Sequence, residues 1–108
     1  MDIKITKREK ILEICNDMCW NFYYLVHGKL INDEGTKYKR FRFVVWFNAF
    51  DVQEFFDKDH FTKSDVSEYL NVLIDAQLSN INSYDDCKYF YELCRESIEN
   101  FNERHYYN

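Results

Sequence analysis

Apolar residues in the first quarter of the chain recur at spacings of three and four residues, which is typical of an amphipathic helix. They are Ile11, Ile14, Cys15, Met18, Phe22, Leu25 and Val26. The preceding Thr6-Lys7-Arg8-Glu9 matches a capping box, in which the side chains of Thr6 and Glu9 each accept a hydrogen bond from the other residue's backbone N–H. Gly28 follows as a C-terminal cap. The pattern therefore predicts a helix from Thr6 to about Val26.

A strand is the expectation for the segment KYKRFRFVVWFNAF, residues 37–50, because aromatic and β-branched residues dominate it. It follows the turn-like Asn32-Asp33-Glu34-Gly35, and residues 28–31 are its expected short hairpin partner. Alternation along a strand puts Phe41, Phe43, Val45 and Phe47 on one face, predicted to be core, and Tyr38, Arg40, Arg42, Val44 and Trp46 on the other. A helix running through Phe41, Val45 and Asn48 is the open alternative.

Three further helices are predicted in the second half of the chain. A short one starts at Asp51, and a longer one is capped by Thr62-Lys63-Ser64-Asp65. Ser83-Tyr84-Asp85-Asp86 opens the last helix, whose buried stripe is Cys87, Phe90, Cys94, Ile98 and Phe101. The fold class that follows is a mostly helical α+β single domain over residues 1–108 with a short β-hairpin, and an all-α bundle is the alternative.

The four cysteines, Cys15, Cys19, Cys87 and Cys94, form no C-x-x-C pair and sit among apolar residues. We expect them to be buried, reduced thiols that bind no metal, and the sequence predicts no cofactor. Neither an apolar run of about 18 residues nor the apolar core of a secretory signal is present. A cytoplasmic protein in a bacterial host, without membrane contact, is the expectation.

Charge is distributed unevenly along a chain whose net charge is −5. Residues 1–42 carry nine Lys or Arg against six Asp or Glu, whereas residues 43–108 carry five against thirteen. Phosphate backbones bind to continuous basic surfaces. An acidic chain with one small basic patch is therefore expected to bind nucleic acid only weakly.

Two groups of residues are candidates for contacting a partner. The first combines an exposed aromatic pair on the polar side of the predicted first helix with a row of carboxylates on the last helix: Trp20, Tyr24, Glu92, Glu96, Glu99 and Glu103. Large aromatics with a polar rim dominate many protein interfaces. The second group is the basic and aromatic strand start, Lys37, Tyr38, Lys39, Arg40 and Arg42, whose composition suits phosphates and bases.

Catalytic patterns are weak, since the three histidines are far apart in the sequence and no serine lies in a nucleophile elbow. We therefore predict a non-enzymatic protein that binds a protein partner, such as a cationic nucleic-acid-binding effector, and no small-molecule substrate. In size, acidity and composition the chain resembles the small inhibitors of phages and mobile elements, anti-CRISPR proteins among them. The alternative is a small nucleic-acid-binding regulator that uses residues 37–42.

Overall fold

The computed structural model describes residues 1–105 as a three-stranded antiparallel sheet followed by three helices. The strands, in the order β1-β2-β3, are β1 Asp2–Asn16, β2 Cys19–Ile31 and β3 Tyr38–Asn48. The helices are α1 Ala49–Phe56, α2 Lys63–Leu78 and α3 Lys88–His105. The fold is α+β with 40% helix and 37% strand. The prediction of a mostly helical domain is therefore wrong, and so is the all-α alternative.

The largest correction concerns the predicted first helix, which is in fact the hairpin of β1 and β2. Asp17 and Met18 link the strands with φ values of 49° and 63°. Positive φ at both central positions is what a type I′ hairpin turn requires. The helical spacing arose because it combined residues from two strands and the turn between them. Gly28 lies inside β2 and caps no helix.

Two irregularities in β1 hid its strand character from the sequence. The register with β2 shifts between Ile5 and Lys7 and again between Lys10 and Leu12. Each shift adds one residue to β1, as in a β-bulge. Side chains of β1 consequently do not alternate regularly between apolar and polar, which is the usual signal of a half-buried strand.

The strand prediction for residues 38–47 is confirmed, and so is the division of its faces. Phe41, Phe43, Val45 and Phe47 are all buried. Residues 28–31 do pair with this strand, with Gly28 opposite Phe41 and Ile31 opposite Tyr38. Their strand is much longer than predicted, because β2 begins at Cys19.

The helices cover the face of the sheet that carries these aromatic residues. Asn48 and Asp51 form the capping box of α1, and Thr62 and Asp65 form the predicted one of α2. The predicted stripe of α3 is confirmed as buried at Phe90, Cys94 and Phe101, while Ile98 is half-buried; Cys87 is buried as well but directly precedes the helix. The ring of Phe90 lies edge-on against Phe41 and Phe43, with centroid distances of 5.1 and 6.1 Å.

Helix α3 also closes the outer edge of β3. The Tyr91 hydroxyl donates to the carbonyl of Arg40 at 3.0 Å, and the backbone N–H of Val44 donates to Ser97 Oγ at 2.9 Å. Further along, the rings of Phe101 and His105 contact Tyr23, which points to the other side of the sheet. The helix thus forms a wall beside the open face.

The cysteine prediction is confirmed in part. Cys87 and Cys94 are buried, but Cys15 is exposed and Cys19 is half-buried, because both lie at the strand ends beside the hairpin turn. None of the described helices has the length and apolar character needed to cross a membrane.

Candidate functional site

A cleft of about 700 Å³ lies on the open face of the sheet, between β1, β2, β3 and the wall formed by α3. Its lining includes five Lys or Arg side chains and one histidine: Lys7, His27, Lys29, Arg40, Arg42 and Arg95. They come from four different elements of the chain. We call this site the cationic cleft.

The strand register places these side chains directly opposite one another. His27 of β2 pairs with Lys7 on one side and with Arg42 on the other. In the next row, Lys29 pairs with Arg40. Directly opposite residues have their Cβ atoms about 4.5–5.5 Å apart, and like charges in such pairs are destabilising. The fold therefore places the like charges of Lys29 and Arg40 directly opposite each other on this face.

Carboxylates compensate only part of this charge. Glu9 Oε1 lies 3.8 Å from Lys7 Nζ and 3.5 Å from His27 Nε2. Arg95 forms an ion pair with Glu99 at 3.0 Å. The remaining three cations, Lys29, Arg40 and Arg42, have no salt bridge within residues 1–105. The middle of the cleft thus carries uncompensated positive charge.

Tyr38 lies at one end of the cationic cleft and is about half exposed. Lys29 Nζ is 5.0 Å from the centre of its ring, and Arg40 Cζ is 5.6 Å from it. A hydrogen bond from Arg40, together with the charges of Arg40 and Lys29, lowers the pKa of the Tyr38 hydroxyl. The Tyr38 ring thus lies within cation–π distance of two of the uncompensated cations.

Two side chains of the α3 wall hold their protons firmly. Burial raises the pKa of the Tyr91 hydroxyl to about 12, which keeps it a hydrogen-bond donor to the Arg40 carbonyl. Burial also raises the pKa of the Cys94 thiol to about 12, so this sulfur is a poor nucleophile and a poor metal ligand. The chemistry that the cleft offers is attraction of negative charge.

The structure separates the five basic and aromatic residues predicted as a nucleic-acid site. Arg40 and Arg42 lie in the cationic cleft and Tyr38 lies at its end. Lys37 lies in the β2–β3 turn, where its backbone N–H donates to Asn32 Oδ1. Lys39 is on the helix-covered face, and its Nζ donates to the Tyr84 carbonyl at 3.2 Å.

The aromatic pair predicted to contact a protein partner is in β2, not on a helix. Trp20 is 45% exposed and lines a groove together with Lys10 and Glu13. Tyr24 is half-buried and stacks on Phe47 with a centroid distance of 6.0 Å. The two residues share a strand face, roughly 13 Å apart at about 3.3 Å per residue.

The predicted carboxylates of α3, Glu92, Glu96, Glu99 and Glu103, are all exposed. One member of this row is neutralised, because Arg95 pairs with Glu99 at 3.0 Å. Trp20 lies beside the start of α2, near Lys63. Within residues 1–105, no described contact joins Trp20 to this row.

Four members of the cationic cleft were missed from the sequence: Lys7, His27, Lys29 and Arg95. A pattern for two of them exists in β2, where buried and half-buried residues alternate from Leu25 to Ile31. Phe22, Val26 and Leu30 are buried on one face, while His27 and Lys29 lie between them. Recognising this alternation identifies β2 as a strand and places both cations on the face that carries Arg40 and Arg42.

No protein-family model, no curated protein and no solved structure matches this chain. In the part of the chain that the structure describes, no three His, Cys, Asp or Glu side chains are grouped as metal ligands would be. A functional assignment therefore depends on the charge and shape of the surfaces themselves.

Proposed function

We propose that the protein binds the phosphates of nucleic acids through the cationic cleft. The observation that carries this proposal is that Lys29, Arg40 and Arg42 meet side by side on an open sheet face without a salt bridge among the described residues. Repulsion between directly opposite cations opposes folding. A phosphate backbone placed in the cleft would remove that repulsion and form charge-assisted hydrogen bonds.

The negative net charge of the chain weakens this binding without preventing it. At physiological ionic strength, interactions between exposed charges are largely screened beyond about 8 Å. The charges lining the cleft therefore matter more than carboxylates distant from it, and of the α3 carboxylates Glu99 is the one that pairs with a cleft cation, Arg95. We expect a dissociation constant of about 10⁻⁴ to 10⁻⁶ M, which is the usual range for binding without sequence preference at physiological salt.

The test compares two double charge reversals that change the net charge equally. Arg40→Glu with Arg42→Glu alters the cationic cleft, whereas Lys63→Glu with Lys88→Glu alters exposed residues at the starts of α2 and α3. Fluorescence anisotropy with labelled DNA and RNA oligonucleotides measures the affinity of each variant. Loss of two charge-assisted hydrogen bonds, each contributing about 1.5–3 kcal/mol, should reduce affinity at least a hundredfold in the cleft variant.

The control variant should lose far less affinity, because its substitutions lie outside the cleft. With about four phosphates neutralised, the logarithm of the wild-type affinity should fall with the logarithm of salt concentration at a slope of about −3 for single strands. Equal losses in the two variants would attribute binding to net charge and refute the cleft as the site. Circular dichroism verifies that both variants are folded.

A protein partner is the second candidate, favoured by the exposure of Trp20 and of the four α3 carboxylates. The cleft reversal and a second reversal on α3 distinguish the two candidates. A cationic protein bound at Trp20 and the carboxylates would tolerate Arg40→Glu with Arg42→Glu but be lost on Glu92→Lys with Glu96→Lys. The idea of a phage-encoded inhibitor stays a prediction from composition.

A further inference from the structure

We infer that the nucleic acid held by this protein is single-stranded and that one of its bases stacks on Trp46. The inference rests on the proposed function, because the cationic cleft supplies the phosphate contacts. It adds a second site on the same sheet face, which determines the class of nucleic acid.

Trp46 continues the face of β3 that carries Arg40 and Arg42. The three side chains are separated by even numbers of residues along one strand, so they point to the same side of the sheet. Trp46 is four residues beyond Arg42, roughly 13 Å at about 3.3 Å per residue. Only Val44, which is half-buried, lies between them on this face. A ligand leaving the cationic cleft along β3 therefore reaches the indole ring.

The indole ring of Trp46 is held in place but is half exposed. It stacks on Tyr23 with a centroid distance of 5.9 Å and an interplanar angle of 20°. Tyr23 is itself buried and contacts the rings of Phe101 and His105 at 5.5 and 4.8 Å. Half of the Trp46 surface remains accessible. A ring fixed in this way loses little conformational freedom when a base stacks on it.

A second groove, of about 250 Å³, lies beside Trp46 and is lined by Asn100 and Arg104 of α3. Since Tyr91 bonds to Arg40 and Ser97 bonds to Val44, α3 runs in the same direction as β3, so Asn100 and Arg104 lie towards the Trp46 end of the wall, away from Arg42. The sheet face thus offers cations, then an aromatic ring, then another cation. This order matches a strand whose backbone alternates with unstacked bases, whereas the bases of a duplex are paired and stacked inside it.

The experiment measures the affinity of the full chain for three probes by fluorescence anisotropy or competition. They are a single-stranded oligonucleotide of about 12 nucleotides, in DNA and RNA forms, the duplex of the same sequence, and inorganic polyphosphate. Trp46→Ala should weaken single-strand binding about tenfold, within the range of effects known for base stacking on aromatic side chains. It should leave the affinity for polyphosphate unchanged. Trp46→Phe, which keeps an aromatic ring, should retain most of the binding.

Trp20 supplies a matched control, because it is the other tryptophan of the chain and lies on the opposite face of the sheet. Trp20→Ala should leave single-strand affinity unchanged. Intrinsic fluorescence provides a second test in case the alanine variant folds poorly, because it uses substitutions that keep an aromatic ring. Trp20→Phe keeps Trp46 as the sole indole, whose emission should be quenched by the single strand, whereas Trp46→Phe should show no quenching.

The possible failures are distinguishable. Equal affinity for duplex and single strand, with Trp46→Ala silent and no quenching in Trp20→Phe, would overturn the single-strand inference and leave phosphate binding intact. Absence of binding to every probe, polyphosphate included, would overturn the proposed function itself. Tighter binding of single strands than of duplex, with the Trp46 effects, supports the inference, and the DNA and RNA forms then identify which is preferred.

Discussion

The two faces of the sheet use neighbouring residues of the same strand for opposite purposes. On the helix-covered face, Phe43 is 1% exposed and packs with Phe41 and Phe90. On the open face, Arg42 lies beside other cations and has no salt bridge among the described residues. The first face contributes to stability through burial, and the second reduces it through repulsion. Strand alternation thus lets one segment carry both the core and the candidate site.

The two outer edges of the sheet differ in a similar way. Helix α3 covers the edge of β3 through the side chains of Tyr91 and Ser97. The edge strand β1 instead carries two register shifts and several lysines. Bulges and charged residues on an edge strand discourage pairing with another chain. Within residues 1–105, the wall formed by α3 therefore stands on the β3 side, and the cationic cleft lies against it.

The largest expected difference between the faces is in stability. Phe43→Ala should lower the free energy of unfolding by about 3–5 kcal/mol, because it leaves a cavity between Phe41 and Phe90. Arg42→Ala, one residue away, should change it by at most about 0.5 kcal/mol, as is usual for surface positions. Urea unfolding followed by circular dichroism measures both. Comparable losses in the two variants would show that Arg42 is structural and would contradict the division of roles.

The sequence predicted the helix-covered face better than the open one. The faces of β3, the capping box at Thr62 and Asp65, and the stripe of α3 were all readable locally, because each depends on residues close together in the chain. The β1–β2 hairpin was not readable, since its turn at Asp17 and Met18 lacks glycine and its first strand is bulged. The apolar residues of the two strands therefore matched a helical spacing better than a strand alternation, and a helix was predicted.

The cationic cleft was predictable only in part for the same reason. Arg40 and Arg42 were recognised because they belong to one strand. Lys7, Lys29 and Arg95 join them through strand register and helix packing, which relate residues far apart in the sequence. The predicted row of carboxylates was local and is exposed on α3 as expected. The ion pair of Arg95 with Glu99, four residues further along the helix, is also a local pattern, and the sequence prediction left it out.

A smaller loss of stability is expected on substitution of Gly28, which has no side chain on either face of the sheet. A Cβ atom at this position would overlap the ring of Phe41 and would lie 2.7 Å from the carbonyl oxygen of Lys4. Gly28→Ala should therefore destabilise the protein by about 1–3 kcal/mol through overpacking. The combination with Phe41→Leu, which removes part of the ring, should recover some of that loss. Thermal unfolding of the two variants checks this, and a silent Gly28→Ala would show that the contact between Phe41 and the β2 backbone is not tight.

The smallest effect has the opposite sign. Lys29 lies directly opposite Arg40 on the open face, so Lys29→Gln should raise the free energy of unfolding by about 0.2–1 kcal/mol through removal of a like-charge pair. Because surface charge interactions are screened by salt, the gain should shrink between low salt and about 1 M, where the Debye length falls to about 3 Å. The same variant should bind oligonucleotides more weakly, since it loses a phosphate contact. Lys88→Gln is the control, because Lys88 is an exposed residue at the start of α3. It should alter neither the free energy of unfolding nor the affinity for oligonucleotides. Loss of stability in Lys29→Gln would mean that the packing of Lys29 on Tyr38 outweighs its repulsion, and the open face would then be partly structural.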